Sequence, residues 1–150
     1  MVILQVDEAF QDTMPRDQLI RAANITLEAF GEAEAALSIV VTDEDTIRDL
    51  NKEHRGRDEP TDVLSFPADY VDPDLDRKYI GDVLISFPTA RAQTEERDHG
   101  VAEELQLLVV HGVLHLLGYD HVESKDQDEM AQLQRRILTS LDLDIEIEDW

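Results

Sequence analysis

Apolar positions recur along the chain with two alternating periods, and the switches between them mark out the elements. VILQV at 2–6 reads as a first strand. From Pro15 onward, Leu19, Ile20, Ala23, Leu27 and Phe30 share one helical face, and Gly31 ends the run. The continuous, β-branched stretch at 37–42 has the signature of a buried strand. Asp43 is placed to cap a short helix that carries Ile47 and Leu50 inward and runs out near Gly56. Two more strands are predicted at 61–66 and 79–86, separated by a loop, PADYVDPDLDR. Pro88 opens a helix expected to stop near Gly100, and 101–117 is apolar nearly all round, which predicts a helix buried in the centre of the domain. The stretch 124–141 is amphipathic with Met130, Leu133, Ile137 and Leu141 inward. The order β-α-β-α-β-β-α-α-α predicts an α+β fold, a mixed sheet of about four strands with helices packed against it. No repeat or linker interrupts it, so residues 1–150 are expected to form a single domain, with an acidic tail from about residue 142 that frays.

Composition narrows the chemistry. Cysteine is absent, which excludes disulfides and thiolate metal sites and leaves histidine and carboxylate as the strong ligands. No segment looks like a signal peptide or approaches the roughly 18 apolar residues of a membrane span, so a cytoplasmic protein without membrane contact is expected. The formal net charge is −22, from 13 Lys and Arg against 35 Asp and Glu. Phosphate backbones are bound through cations that displace counterions, so this charge argues against DNA and predicts weak, weakly salt-dependent affinity for free RNA.

Against that background HGVLHLLGYDH, residues 111–121, gathers three of the five histidines. His111 and His115 are four apart and lie on one face of a helix. Gly118 offers a helix stop, after which the chain can return His121 toward the other two imidazoles. Three neutral nitrogens and an open fourth position suit catalytic Zn²⁺, one ion, ahead of nickel or iron. Asp120 is placed to orient a ligand or a water, or simply to turn the chain. The spacing resembles that of the metzincin proteases, but those carry a catalytic Glu after the first His where this chain has Gly112. Without that proton acceptor, weight moves from amide hydrolysis to phosphoryl chemistry, where charge stabilisation does more. A metalloprotease is therefore disfavoured.

A second cluster, HRGRDEPTDVLSF at 54–66, holds His54, Arg55 and Arg57 just after Lys52, the densest positive run in the chain. Guanidinium groups on such a loop can clamp phosphate, although spacing alone favours a solvated loop. Asp72, Asp74 and Asp76 only imitate a calcium loop, since its sixth position is Arg77 rather than Gly. Glu104 shares the His111 face but sits about 10 Å along the axis, too far to be a ligand. Arg135 and Arg136 read as surface charges.

HRGRDEPTDVLSF, the GDVLIS strand with its following helix, and VHGVLHLLGYDH together closely resemble the YbeY family of bacterial rRNA maturation factors, in order and spacing over residues 35–140. The resemblance implies a zinc-dependent, single-strand-specific endoribonuclease acting in 16S rRNA 3′-end maturation and ribosome quality control, with the small ribosomal subunit as partner. It carries over His111, His115 and His121 as metal ligands and Arg55 as the functional arginine, expected to neutralise charge developing on the phosphate. Attack by water and attack by the RNA's own 2′-OH both remain open. The rival is a ribosome-assembly binding factor whose zinc is structural and whose nuclease activity is small or absent.

Overall fold

Four strands form one mixed sheet in the order β1-β2-β4-β3: β1 (Val2–Val6), β2 (Ala36–Thr42), β3 (Val63–Asp72) and β4 (Arg77–Ser86). β1 and β2 run parallel, as do β2 and β4, and β3 closes one edge antiparallel to β4. The parallel pairs need crossovers, supplied by α1 (Arg16–Ala29) between β1 and β2 and by α2 (Glu44–Arg55) after β2. α3 (Phe87–Gln93), α4 (Val101–Leu116) and α5 (Ser124–Ser140) follow the sheet, and a short 3₁₀ turn at Glu8–Thr13, which periodicity does not foretell, precedes α1. The computed structural model describes residues 1–119, 124–143 and 145, without the side chains of 124–127. Among these residues no helix is long and apolar enough to cross a membrane.

Strand alternation divides the sheet into two unequal faces. Leu37, Ile39, Val41, Val83 and Ile85 point to the larger core, shared with Leu19 and Leu27 of α1, the length of α4, and Met130, Ile137 and Leu138 of α5. The opposite face is smaller, with Leu64 and Leu84 covered by Ile47 of α2. α4 is the central helix, buried at every position from Glu104 to Leu114 and again at Leu116. A helix that is apolar on all sides has nowhere else to go.

Three expectations need correction. The hairpin has no long loop: β3 runs on to Asp72 and β4 starts at Arg77, with Tyr70 opposite Tyr79 and Val71 opposite Lys78. A register shift between Pro67 and Tyr70 absorbs the proline, which lacks an N–H and is tolerated on an edge strand. The turn is tied by the Asp72 carboxylate, which accepts from the N–H groups of Asp74 (2.8 Å) and Leu75 (3.2 Å), so the acidic run there is turn chemistry. The helix from Pro88 ends at Gln93 rather than near Gly100, because the segment after it bends to bring Arg97 and His99 to a buried carboxylate, Glu104. Finally, Leu143 and Ile145 of the expected frayed tail pack on the main core; residues 144 and 146–150 lie outside the described residues.

Candidate metal centre and arginine loop

His111 and His115 stand one turn apart on the last turns of α4, with ring centroids 4.6 Å apart and planes at 74°. Their Nε2 atoms approach to 3.0 Å. His111 is 3% exposed, and its Nδ1 lies 2.8 Å from Oε1 of Gln134, a buried side chain of α5. An amide oxygen only accepts, so Nδ1 carries the ring proton and Nε2 presents its lone pair on the side where His115 converges. α4 then stops at Gly118, whose φ of 98° is costly for any other residue. The N–H of Gly118 donates to His115 O and that of Tyr119 to Leu114 O, each at 3.0 Å, the double closure of a Schellman motif. The predicted stop is therefore present, and Tyr119 is anchored beside it by its ring contact with Phe30. Asp120 and the third predicted ligand, His121, lie outside the described residues.

The pair fits a zinc ion. Two nitrogens bound tetrahedrally at about 2.0–2.1 Å are separated by about 3.3 Å, so the pair at 3.0 Å has only a few tenths of an ångström to open. Among the described residues no group of three His, Cys, Asp or Glu is assembled for a metal.

Gly112 has a structural reason for being glycine that the motif comparison does not show. A Cβ there would lie 2.5 Å from Cγ1 of Val83 and 3.3 Å from Oγ of Ser65. This position faces the sheet, and the Ser65 hydroxyl donates to its carbonyl at 3.0 Å. The missing glutamate is a consequence of how closely α4 lies on β3 and β4.

Arg55 is the last residue of α2, which Gly56 ends in the left-handed conformation. Its neighbour His54 lays its ring against Phe66 of β3, 4.9 Å between centroids. The following loop is held by Asn51 Nδ2 donating to Glu59 O at 2.9 Å and by the exposed Arg48–Asp58 pair at 2.9 Å. Arg57 stands 3.8 Å from Glu59, whereas Arg55 is exposed and has no ion-pair partner among the described residues. α2 packs on the smaller face of the sheet through Ile47, whereas His111 belongs to α4, which packs on the larger one.

Two polar clusters escape the sequence reading. Glu104, fully buried, receives Arg97 Nη1 at 2.7 and 3.2 Å and lies 2.6 Å from His99 Nε2. On the α2 side of the sheet, the Tyr79 hydroxyl contacts Ser38 Oγ at 2.7 Å and makes a short bond to Asp82. Burial, and then the hydrogen bond to Asp82, push the Tyr79 phenol up to about 12. The first cluster and the partner of His111 carry a signal in hindsight, since a carboxylate or an amide inside an apolar stripe demands a partner. Glu104 in α4 and Gln134 in α5 are such interruptions.

Comparison with known proteins agrees with the motif. The sequence profile of the family described as endoribonuclease YbeY matches residues 5–142. The endoribonuclease YbeY of Aquifex aeolicus is 40% identical over 127 residues, 84% of this chain and 83% of that protein. That of Vesicomyosocius okutanii is 38% identical over 141 residues, 94% of this chain and 96% of the relative. The solution structure of TM1509 from Thermotoga maritima superimposes with a TM-score of 0.62 at 27% identity, covering 94% of this chain and 89% of that one. With a profile match across nearly its whole length and relatives of about 40% identity covered over more than four fifths of their length, the chain belongs to the endoribonuclease YbeY family.

Proposed function

We propose that this chain is a zinc-dependent, single-strand-specific endoribonuclease, an RNA-cleaving hydrolase acting in 16S rRNA 3′-end maturation and ribosome quality control. It works as one cytoplasmic domain over residues 1–150, on the small ribosomal subunit. In a member of an endoribonuclease family, the observation that carries this reading is the convergence of the His111 and His115 Nε2 atoms at 3.0 Å. His111, His115 and His121 hold one Zn²⁺. When bound, zinc supplies a Lewis acid and lowers the pKa of water in its reach.

The chain's own residues supply the remainder. Arg55 offers a guanidinium that no carboxylate neutralises among the described residues, suited to bidentate contact with phosphate oxygens. Arg55 neutralises charge developing on the phosphate while the histidines hold the metal. Position 112 contributes no proton acceptor, since the sheet excludes a side chain there.

The test is cleavage of single-stranded RNA bearing the precursor 3′ end by the full chain, with the product ends mapped. A 2′,3′-cyclic phosphate identifies the 2′-OH as nucleophile, and its absence identifies water. Arg55→Ala and His111→Ala, both folded, lose cleavage by at least tenfold. Variants that cleave like the wild type contradict the assignment. A wild type that associates with the subunit but never cuts RNA leaves the binding factor with a structural zinc.

A further inference from the structure

We propose that Gln134 is a positioning residue for the metal centre, one that fixes which nitrogen of His111 faces the ion. The inference rests on the reading of His111 as a ligand. Gln134 occupies the inward stripe of α5 between Met130 and Ile137/Leu138, all of them buried in the main core. It is 1% exposed. A helix that needs only to pack would place an apolar residue there, because a buried amide costs about 1–3 kcal/mol unless its polar atoms are paired. Its carbonyl is paired, and the partner is His111 Nδ1 at 2.8 Å.

The direction of that bond decides the tautomer. Imidazole in its neutral form carries one N–H, on either nitrogen. With Oε1 as acceptor, the proton stays on Nδ1, and the Nε2 lone pair turns to the point where His115 Nε2 converges at 3.0 Å. Were the amide to present its NH₂ instead, the proton would sit on Nε2 and block coordination. The bond also fixes the plane of the ring, and it ties α5 to the end of α4. Gln134 thus makes a two-helix unit of a pair of ligands that belong to one helix.

The effect of such partners on metal affinity is typically about 10- to 100-fold. The experiment compares the wild type, Gln134→Leu, Gln134→Glu and His111→Ala as full chains. Zinc affinity is measured by chelator competition, and the His111 tautomer by long-range proton–nitrogen NMR of the zinc-stripped protein at pH about 8, where imidazoles are neutral. The proposal expects His111 protonated on Nδ1 in the wild type and Gln134→Glu, and a mixture of tautomers in Gln134→Leu. It expects zinc binding about 10- to 100-fold weaker in Gln134→Leu, with Gln134→Glu restored to at least the wild-type level. A merely structural amide would not produce that rescue together with the tautomer change. The proposal is overturned if His111 in the wild type carries its proton on Nε2, or if folded Gln134→Leu binds zinc within about twofold of the wild type. Should Gln134→Leu not fold, the wild-type and Gln134→Glu tautomers decide alone. Failure of the underlying reading has a different signature, in which His111→Ala binds zinc as tightly as the wild type.

Discussion

Replacing Gly112 by alanine adds one methyl group at the closest approach of α4 to the sheet. The new Cβ would lie 2.5 Å from Val83 Cγ1 and 3.1 Å from Cγ2, where ordinary contacts are near 3.8 Å. Val83 is wholly buried and β-branched, so it cannot turn aside cheaply. The helix and β4 must separate by about 1 Å, at an overpacking cost of about 1–3 kcal/mol. Alanine regains about 1 kcal/mol of helix propensity over glycine. The net expectation is a loss of about 1–2 kcal/mol, or a melting temperature lower by about 2–8 °C for a chain of this size. Guanidinium denaturation of the full chain reads the loss as a lower midpoint at unchanged slope. The cause is isolated by a double-mutant cycle: Val83→Ala, which makes room, should remove most of the penalty of Gly112→Ala when the two are combined. A Gly112→Ala protein as stable as the wild type, or a cycle with no coupling, refutes the claim that the sheet dictates glycine here.

Two further substitutions probe features that hold the frame. Glu104→Gln keeps volume but leaves Arg97 and His99 facing a neutral amide; because Arg97 is partly exposed and can reach water, the loss should be about 2–4 kcal/mol in the same denaturation assay, with zinc affinity unchanged within about twofold. A loss under about 0.5 kcal/mol would mean the buried carboxylate contributes nothing. Asp43 caps α2 by accepting from Thr46 N–H at 2.7 Å, and this bond, backbone first and side chain next, holds its carboxyl below the usual value. Asp43→Ala should cost about 0.5–1 kcal/mol at neutral pH. Since the folded-state pKa is the lower one, that stabilisation is present above the unfolded-state value and disappears as pH falls through the folded one, so mutant and wild type converge in acid. A gap that widens on acidification contradicts the cap assignment.

Much of this molecule is legible from periodicity. β1, α1, β2, α2 and α4 fall within a residue or two of where alternation, the Asp43 cap and the stops at Gly31, Gly56 and Gly118 put them. These are local signals, and local physics sets them. What escapes depends on contacts between distant segments. The hairpin extends through Tyr70 and Tyr79 because the two rings meet across the strands, at 5.4 Å, which neither stretch announces alone. α3 ends early because Arg97 and His99 answer to Glu104, a residue whose burial only the packed fold reveals. At the candidate site, the spacing of His111 and His115 shows that two imidazoles share a face. That Gln134 holds one of them, and that Gly112 looks at the sheet instead of the site, are facts of packing between α4, α5, β3 and β4. The charge of −22 argues against nucleic acid while the family is that of an endoribonuclease, because net charge describes the whole surface and not the few groups that meet a substrate.

The central claim is that the histidine pair serves a zinc ion on which RNA cleavage depends. The most direct measurement is cleavage of single-stranded RNA by the full chain as purified, after removal of metal by a chelator, and after addition of one equivalent of Zn²⁺, with metal content determined on each sample. The account predicts that cleavage disappears with the metal and returns with zinc in the wild type, and that His111→Ala, folded, neither retains zinc nor recovers activity. Cleavage that persists unchanged in the metal-free protein would contradict it.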